Sequence, residues 1–148
     1  MKHFSAIILL CSMLCTTTAA LGSEDEISLF DSSAKATAYV AEELTIYLWS
    51  GKPVAYLSED DAGGFHIYGF NGKHLGWFVA GVVRGHKGKA VGAVKEAFVT
   101  PPAFEPFKSF KQFKPFKAFK EFAPFRPMFT KIWSDIPFKL FLLQGASD

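Results

Sequence analysis

Cysteine is scarce in this chain, and its two cysteines, Cys11 and Cys15, both lie close to the N-terminus. They fall in a twelve-residue apolar run that follows a short basic stretch, which is the pattern of a cleaved export signal. A run of this length is too short to span a bilayer comfortably. Once it is removed, the mature chain has no thiol. This excludes disulfides, thiolate metal ligands and a cysteine nucleophile.

The export signal predicts where the protein works. Small residues after the apolar run indicate cleavage after Ala20 or Gly22, so residues 1–22 are the predicted signal peptide. We expect an exported protein, periplasmic or secreted, with association with the cell envelope as an open alternative. A lipid-modified Cys15 is the rival interpretation, although Leu14 stands where lipoprotein signals favour a small residue.

Charge is unevenly divided over the rest of the chain. Residues 23–98 carry ten acidic and seven basic side chains, whereas residues 99–148 carry four acidic and eight basic ones. The composition changes at Thr100-Pro101-Pro102, where glycine and β-branched residues give way to Phe, Lys and Pro. We therefore predict a folded domain over 23–98 and a basic tail over 99–148. The small net charge argues against nucleic-acid binding.

A short module is repeated four times in the domain, at residues 29–40, 46–57, 67–78 and 83–94. Each unit has an apolar run, a turn signal ending in Gly-Lys (Ala-Lys in the first unit) and a second apolar run. This pattern predicts a β-hairpin in each unit and about eight short strands in total. Because one hairpin cannot bury its own apolar face, the four must share a core in an all-β fold.

One place in the repeat, the third residue from the end of the unit, is always occupied by a small residue. The residues at this place are Ala38, Ala55, Gly76 and Gly92. We interpret them as positions where neighbouring units approach each other closely.

The stretches "IYLWSGKPVAYL", "IYGFNGKHLGWF" and "GHKGKAVG" resemble the bacterial 4-fold beta flower domain. The resemblance covers residues 27–98 and implies four hairpins around a pseudo-fourfold axis. The tail is similar to the proline-bearing tails with a three-residue period that follow this domain in relatives. The family has no established activity, so the resemblance implies no catalytic residue.

The tail places a phenylalanine at every third position from Phe107 to Phe125. An α-helix would spread such residues around its circumference, whereas polyproline II has three residues per turn and aligns them on one edge. We therefore predict a polyproline-II-like tail with a Phe edge and a Lys edge. These two edges form the candidate interaction surface, Phe107, Lys108, Phe110, Lys111, Phe113, Lys114, Phe116, Lys117, Phe119 and Lys120.

Three interpretations of the Phe edge remain open. The first, which we favour from the sequence, is that the edge packs against the outside of the hairpin domain, because exposing so many phenylalanines would invite aggregation. The second is a surface for an envelope protein. The third is adsorption to an anionic membrane, for which interleaved cations and aromatics are suited.

Patterns typical of catalysis or metal binding are sparse. His66, His74 and His86 occupy three different places in the repeat, so we expect symmetry not to bring them together. The acidic run 59–61 is interpreted as a solvated loop. We predict no cofactor and no metal site, and a non-enzymatic binding or structural module of the cell envelope. The alternative is a small-ligand carrier or envelope hydrolase with a pocket on the pseudo-fourfold axis, which would require polar rather than aliphatic residues there.

Overall fold

The computed structural model describes residues 25–102 and 104–147, so the predicted signal peptide lies outside the described residues. Within them the chain forms eight strands: β1 (Ile27–Phe30), β2 (Ala36–Val40), β3 (Thr45–Leu48), β4 (Pro53–Glu59), β5 (Phe65–Gly69), β6 (His74–Val79), β7 (Val82–Arg84) and β8 (Ala90–Ala93). A 3₁₀ helix, Lys95–Ala97, and an α-helix, α1 (Phe138–Leu143), follow. Each strand is antiparallel to the next and β1 pairs with β8, which closes the sheet into a barrel. The predicted all-β fold is confirmed.

The four repeat units are the hairpins β1–β2, β3–β4, β5–β6 and β7–β8. In each hairpin the register shifts at the same place, directly after the first residue of the unit. Such irregularities bend a strand and increase its twist, which helps a short sheet to close. The turns within the hairpins lie at one end of the barrel, here called the hairpin end. The connections between units lie at the opposite end, the loop end.

The barrel interior is filled by apolar side chains. Every unit contributes buried aliphatic residues, among them Leu29, Ile46, Ile67 and Val83. The helix α1 adds Phe138, Phe141 and Leu142 to the same cluster. It lies at the hairpin end, where the amide nitrogens of Asn71 donate to the carbonyl oxygens of Gln144 and Gly145. The C-terminal segment is therefore part of the core.

The four small positions of the repeat are all buried. Ala38 and Ala55 are fully buried in the core. A Cβ on Gly76 would lie 1.9 Å from the carbonyl oxygen of Arg84 in the next unit. At Gly92 the close neighbour is different, because a Cβ there would lie 2.4 Å from the ring of Phe138 in α1. The absence of a side chain therefore lets the next unit approach at Gly76 and the helix approach at Gly92.

Candidate functional site

The tail encircles much of the barrel as a girdle, which we define as residues 104–130. It passes the turns of the second, third and fourth hairpins in order, and its described residues form no helix or strand. The amides of Ser109 and Gln112 donate to the carbonyl oxygens of Trp49 and Gly51. One unit later, the amides of Ala118 and Glu121 donate to the equivalent oxygens of Phe70 and Gly72. Thr130 donates in the same way to Gly88.

A nine-residue period in the tail matches the spacing of the hairpins. Gln112, Glu121 and Thr130 are nine residues apart and bond to equivalent turn glycines in successive units. Pro106, Pro115 and Pro124 follow the same period. None of the three stands at a place of the period that donates to a turn, and proline has no N–H to leave unpaired. In the third segment Pro127 stands where Ser109 and Ala118 donate in the first two. The tail is therefore built as nine-residue segments that match the second, third and fourth hairpins.

The turn glycines allow the girdle to approach closely. A Cβ on Gly51 would lie 1.9 Å from the carbonyl oxygen of Phe110, and one on Gly72 would lie 2.2 Å from that of Phe119. Gly51 and Gly72 also have positive φ, of 93° and 91°, in the left-handed region that favours glycine. Each turn glycine thus serves both the hairpin and the docking of the tail.

The Lys edge faces the barrel. The ammonium group of Lys108 lies 4.6 Å from the ring centre of Tyr39, and that of Lys117 lies 4.2 Å from the ring centre of Tyr56. Lys120 lies 5.2 Å from the ring centre of Tyr68. These tyrosines are buried, although they belong to clusters separate from the barrel core. Lysine stems and cation–π contacts therefore cover the outer aromatic surface of the barrel.

Ion pairs add to this contact. Glu26 accepts hydrogen bonds from Lys108 at 2.9 Å and from Lys111 at 2.5 Å, and Glu43 pairs with Lys114. Burial by itself raises the pKa of Glu26, but the bonds from the two lysines outweigh it and hold the pKa below its usual 4.5. The lysines of the edge are thus engaged with the protein's own barrel.

The Phe edge points away from the barrel. The side chains of Phe107, Phe110, Phe113, Phe116, Phe119, Phe122 and Phe125 are between 97 and 101 % exposed, and Phe104 is 76 % exposed. The favoured expectation from the sequence, that this edge packs on the hairpin domain, is therefore wrong. The tail does pack there, but through its lysines and its backbone amides. Sequence periodicity shows that three edges exist without showing which of them faces inward.

The ends of the barrel differ in charge. Lysines occupy the hairpin turns at Lys35, Lys52, Lys73, Lys87 and Lys89, and the girdle is bonded to the second, third and fourth of these turns. The loop end carries the acidic residues Glu42, Glu43, Glu59, Asp60 and Asp61. No ion pair involves the five turn lysines within residues 25–102 and 104–147. The Phe edge therefore runs beside unpaired cations.

Three histidines form a hydrogen-bonded chain on the outside of the barrel. His66 Nδ1 lies 3.0 Å from His74 Nε2, and His74 Nδ1 lies 3.0 Å from His86 Nε2. The repeat symmetry does not relate these three histidines; the pairing of β5 with β6 and the neighbouring turn bring them together. At the inner end, Asp60 Oδ2 lies 3.6 Å from His66 Nε2 and 2.6 Å from Arg126 Nη2.

Two further properties concern the described residues alone. No group of three or more His, Cys, Asp or Glu side chains among them is arranged to hold a metal ion. None of their helices has the length and apolar character needed to cross a bilayer.

The fold and the girdle together define a class of protein: a closed barrel of four β-hairpins that is wrapped by its own C-terminal tail. The chain belongs to the 4-fold beta flower protein family, whose model matches residues 27–142. The match extends from β1 into α1, so it includes the girdle as well as the barrel. Comparisons with curated proteins and with solved structures returned no significant match.

Proposed function

We propose that this 4-fold beta flower protein is an exported, non-enzymatic binding module that attaches to an anionic lipid surface of the cell envelope through its Phe edge. The observation that carries the proposal is the full exposure of seven consecutive phenylalanines of that edge. Contiguous apolar surface of this kind normally marks an interaction site. The fold holds these rings outward, because the lysines and the backbone amides of the same tail contact the barrel.

The charge distribution favours a lipid surface over a neutral apolar partner. The turn lysines Lys52 and Lys73 lie in turns that are bonded to the girdle, so cations flank the exposed rings. Phenylalanines that enter the headgroup boundary beside lysines are suited to anionic bilayers. Each phenylalanine that is fully buried contributes roughly 1.5–3 kcal/mol, so three rings supply about 4.5–9 kcal/mol before the costs of association.

The filled barrel supports a non-enzymatic role. A carrier or hydrolase with its pocket on the pseudo-fourfold axis would require polar residues there. The residues around the axis are instead aliphatic, with Phe138, Phe141 and Leu142 of α1 packed among them. Binding is therefore assigned to the outer surface.

Flotation of the full mature chain with lipid vesicles tests the proposal. We expect binding to vesicles that contain phosphatidylglycerol, weaker binding to pure phosphatidylcholine, and weakening by salt as the Debye length shrinks from about 10 Å at 0.1 M. Replacing Phe110, Phe113 and Phe116 together by Ser is expected to abolish binding and leave the melting temperature unchanged. Leu140→Ser, at an exposed apolar residue outside the girdle, is the matched control and should retain binding.

Two results would overturn the proposal. One is undiminished vesicle binding by the triple variant. The other is a large fall in its melting temperature, because these side chains would then contribute to the fold.

A further inference from the structure

A cavity lies beside α1 at the hairpin end of the barrel. Its volume is about 350 Å³, within the range of roughly 300–1,000 Å³ found for small-molecule sites. Leu75, Val91 and Phe141 give it an apolar floor, and all three are buried. The cavity borders the barrel core, to which these three residues belong, and none of the exposed phenylalanines of the girdle lines it.

The polar part of the lining is net positive. Lys87 and Lys89 both line the cavity, and neither forms an ion pair with another described residue. Asp135 is an acidic group on the same lining. Two cations beside an apolar floor are complementary to a molecule that has an anionic head and a short apolar body.

His86 also lines this cavity, and it forms the outer end of the histidine chain. The carboxylate of Asp60 faces His66 Nε2 and favours a proton on that nitrogen. The other ring nitrogens must then alternate, so that His74 Nε2 donates to His66 and His86 Nε2 donates to His74. In this arrangement Nδ1 of His86 carries no proton and is able to accept one.

The middle histidine does not compete for that proton. His74 is 2 % exposed, and burial together with the neighbouring His86 and His66 lowers the pKa of its imidazole to about 4. Glu121 accepts a hydrogen bond from the backbone amide of His74, and Arg126 is paired with Asp60. These charged groups belong to the inner part of the chain, whereas His86 at the outer end is exposed and lines the cavity.

We propose that the cavity beside α1 binds a small amphiphilic anion, and that binding is coupled to uptake of one proton from water at His86 Nδ1. The anionic head lies against Lys87, Lys89 and His86, and the apolar body lies on Leu75, Val91 and Phe141. The imidazolium adds a third positive charge to the site. The histidine chain orients His86 so that its Nδ1 is the nitrogen that receives the proton.

Calorimetric titration of the full mature chain with octyl sulfate tests this proposal. The probe stays ionised throughout, so any change of affinity with pH belongs to the protein. Histidine ordinarily changes charge between about pH 5 and pH 8. We expect binding to be tighter at the acidic end by about fivefold, the effect of one added charge about 4 Å away in a water-exposed site. Titrations in buffers of different ionisation enthalpy should show the proton taken up, and the neutral probe octanol should bind more weakly.

Variants locate the effect within the cavity. Lys87→Gln with Lys89→Gln should weaken binding, whereas Lys52→Gln, at a turn lysine outside the cavity, should not. Asp135→Asn should strengthen binding. His86→Gln should abolish both the pH dependence and the proton uptake.

The proposal is overturned if octyl sulfate does not bind, if octanol binds equally well, or if the pH dependence survives in His86→Gln. The triple Phe→Ser variant of the girdle should still bind octyl sulfate, and loss of octyl sulfate binding in this variant would also overturn the proposal. Because the cavity variants leave the girdle intact, failure of this site and failure of lipid attachment are distinguishable.

Discussion

Gly72→Ala is the sharpest test of how the girdle is attached, because the chain offers a matched control at Gly63. Both glycines have positive φ, of 91° and 102°, so alanine is strained at either position. They differ in their surroundings. A Cβ on Gly72 would lie 2.2 Å from the carbonyl oxygen of Phe119, whereas nothing lies within 4 Å of one on Gly63.

The expected difference follows from these distances. The left-handed conformation costs an alanine roughly 1–2 kcal/mol, and this cost is common to both variants. In Gly72→Ala the girdle must also withdraw, which breaks the hydrogen bonds from Ala118 to Phe70 and from Glu121 to Gly72. Each such bond contributes about 0.5–1.5 kcal/mol net. We therefore expect Gly72→Ala to lower the free energy of unfolding by about 2–5 kcal/mol, and Gly63→Ala by about 1–2 kcal/mol.

Chemical denaturation measures the two free energies, and hydrogen exchange shows where the change occurs. The amides of Ala118 and Glu121 should lose protection in Gly72→Ala and keep it in Gly63→Ala. Equal destabilisation by the two substitutions, with protection retained in both, would refute the docking of the girdle on the turn glycines.

Three further predictions concern the core and its pH dependence. Phe138→Ala should lower the free energy of unfolding by about 3–5 kcal/mol. Leu140 is exposed on the same helix, and Leu140→Ala should change this free energy by about 0.5 kcal/mol at most. Similar free energies for the two variants in chemical denaturation would contradict the packing of α1 in the core. Gly76→Ala should lower the melting temperature strongly and Gly85→Ala only weakly, because the nearest atoms lie at 1.9 Å and 3.7 Å from the added Cβ. Equal melting temperatures of the two variants would show that β6 and β7 are not closely apposed at Gly76. The pKa of His74 is about 4 in the folded chain and 6.5 in the unfolded chain, so the melting temperature should fall as the pH drops from 6.5 to about 4. An equal fall of the melting temperature in His74→Gln would show that His74 is not its cause.

Much of the barrel is predictable because its signals are local. The Gly-Lys turns and the apolar runs on either side define four hairpins, and four hairpins without a second layer must close on one another. The small residues at Gly76 and Gly92 likewise indicate where space is limited. The sequence does not predict helix α1, because six residues show too little periodicity to indicate a helix. Their burial depends on the end of the barrel that they cover, and the local sequence does not reveal this.

The orientation of the tail depends on residues that are distant in sequence. Its three-residue period aligns Phe and Lys on separate edges but leaves their direction undetermined. The direction depends on Tyr39, Tyr56 and Tyr68, which face outward and accept the lysines. The nine-residue spacing of the prolines was a signal in the sequence that could have revealed the docking segments on successive hairpins. The histidine chain depends on strand pairing, so comparison of repeat positions alone did not show it.

The two periods of the tail restrict which insertions and deletions it tolerates. Adding three residues before Pro115 would keep every phenylalanine on its edge. It would also move each later proline along the tail by one three-residue step, so that Pro115 would fall where the amide of Ala118 now donates to Phe70. Adding nine residues would preserve both the exposed edge and the match to the turns, but it would displace every later segment by one hairpin and move α1 away from the mouth of the barrel. The length of the tail is therefore determined at both ends, by its exit after β8 and by the helix that completes the core.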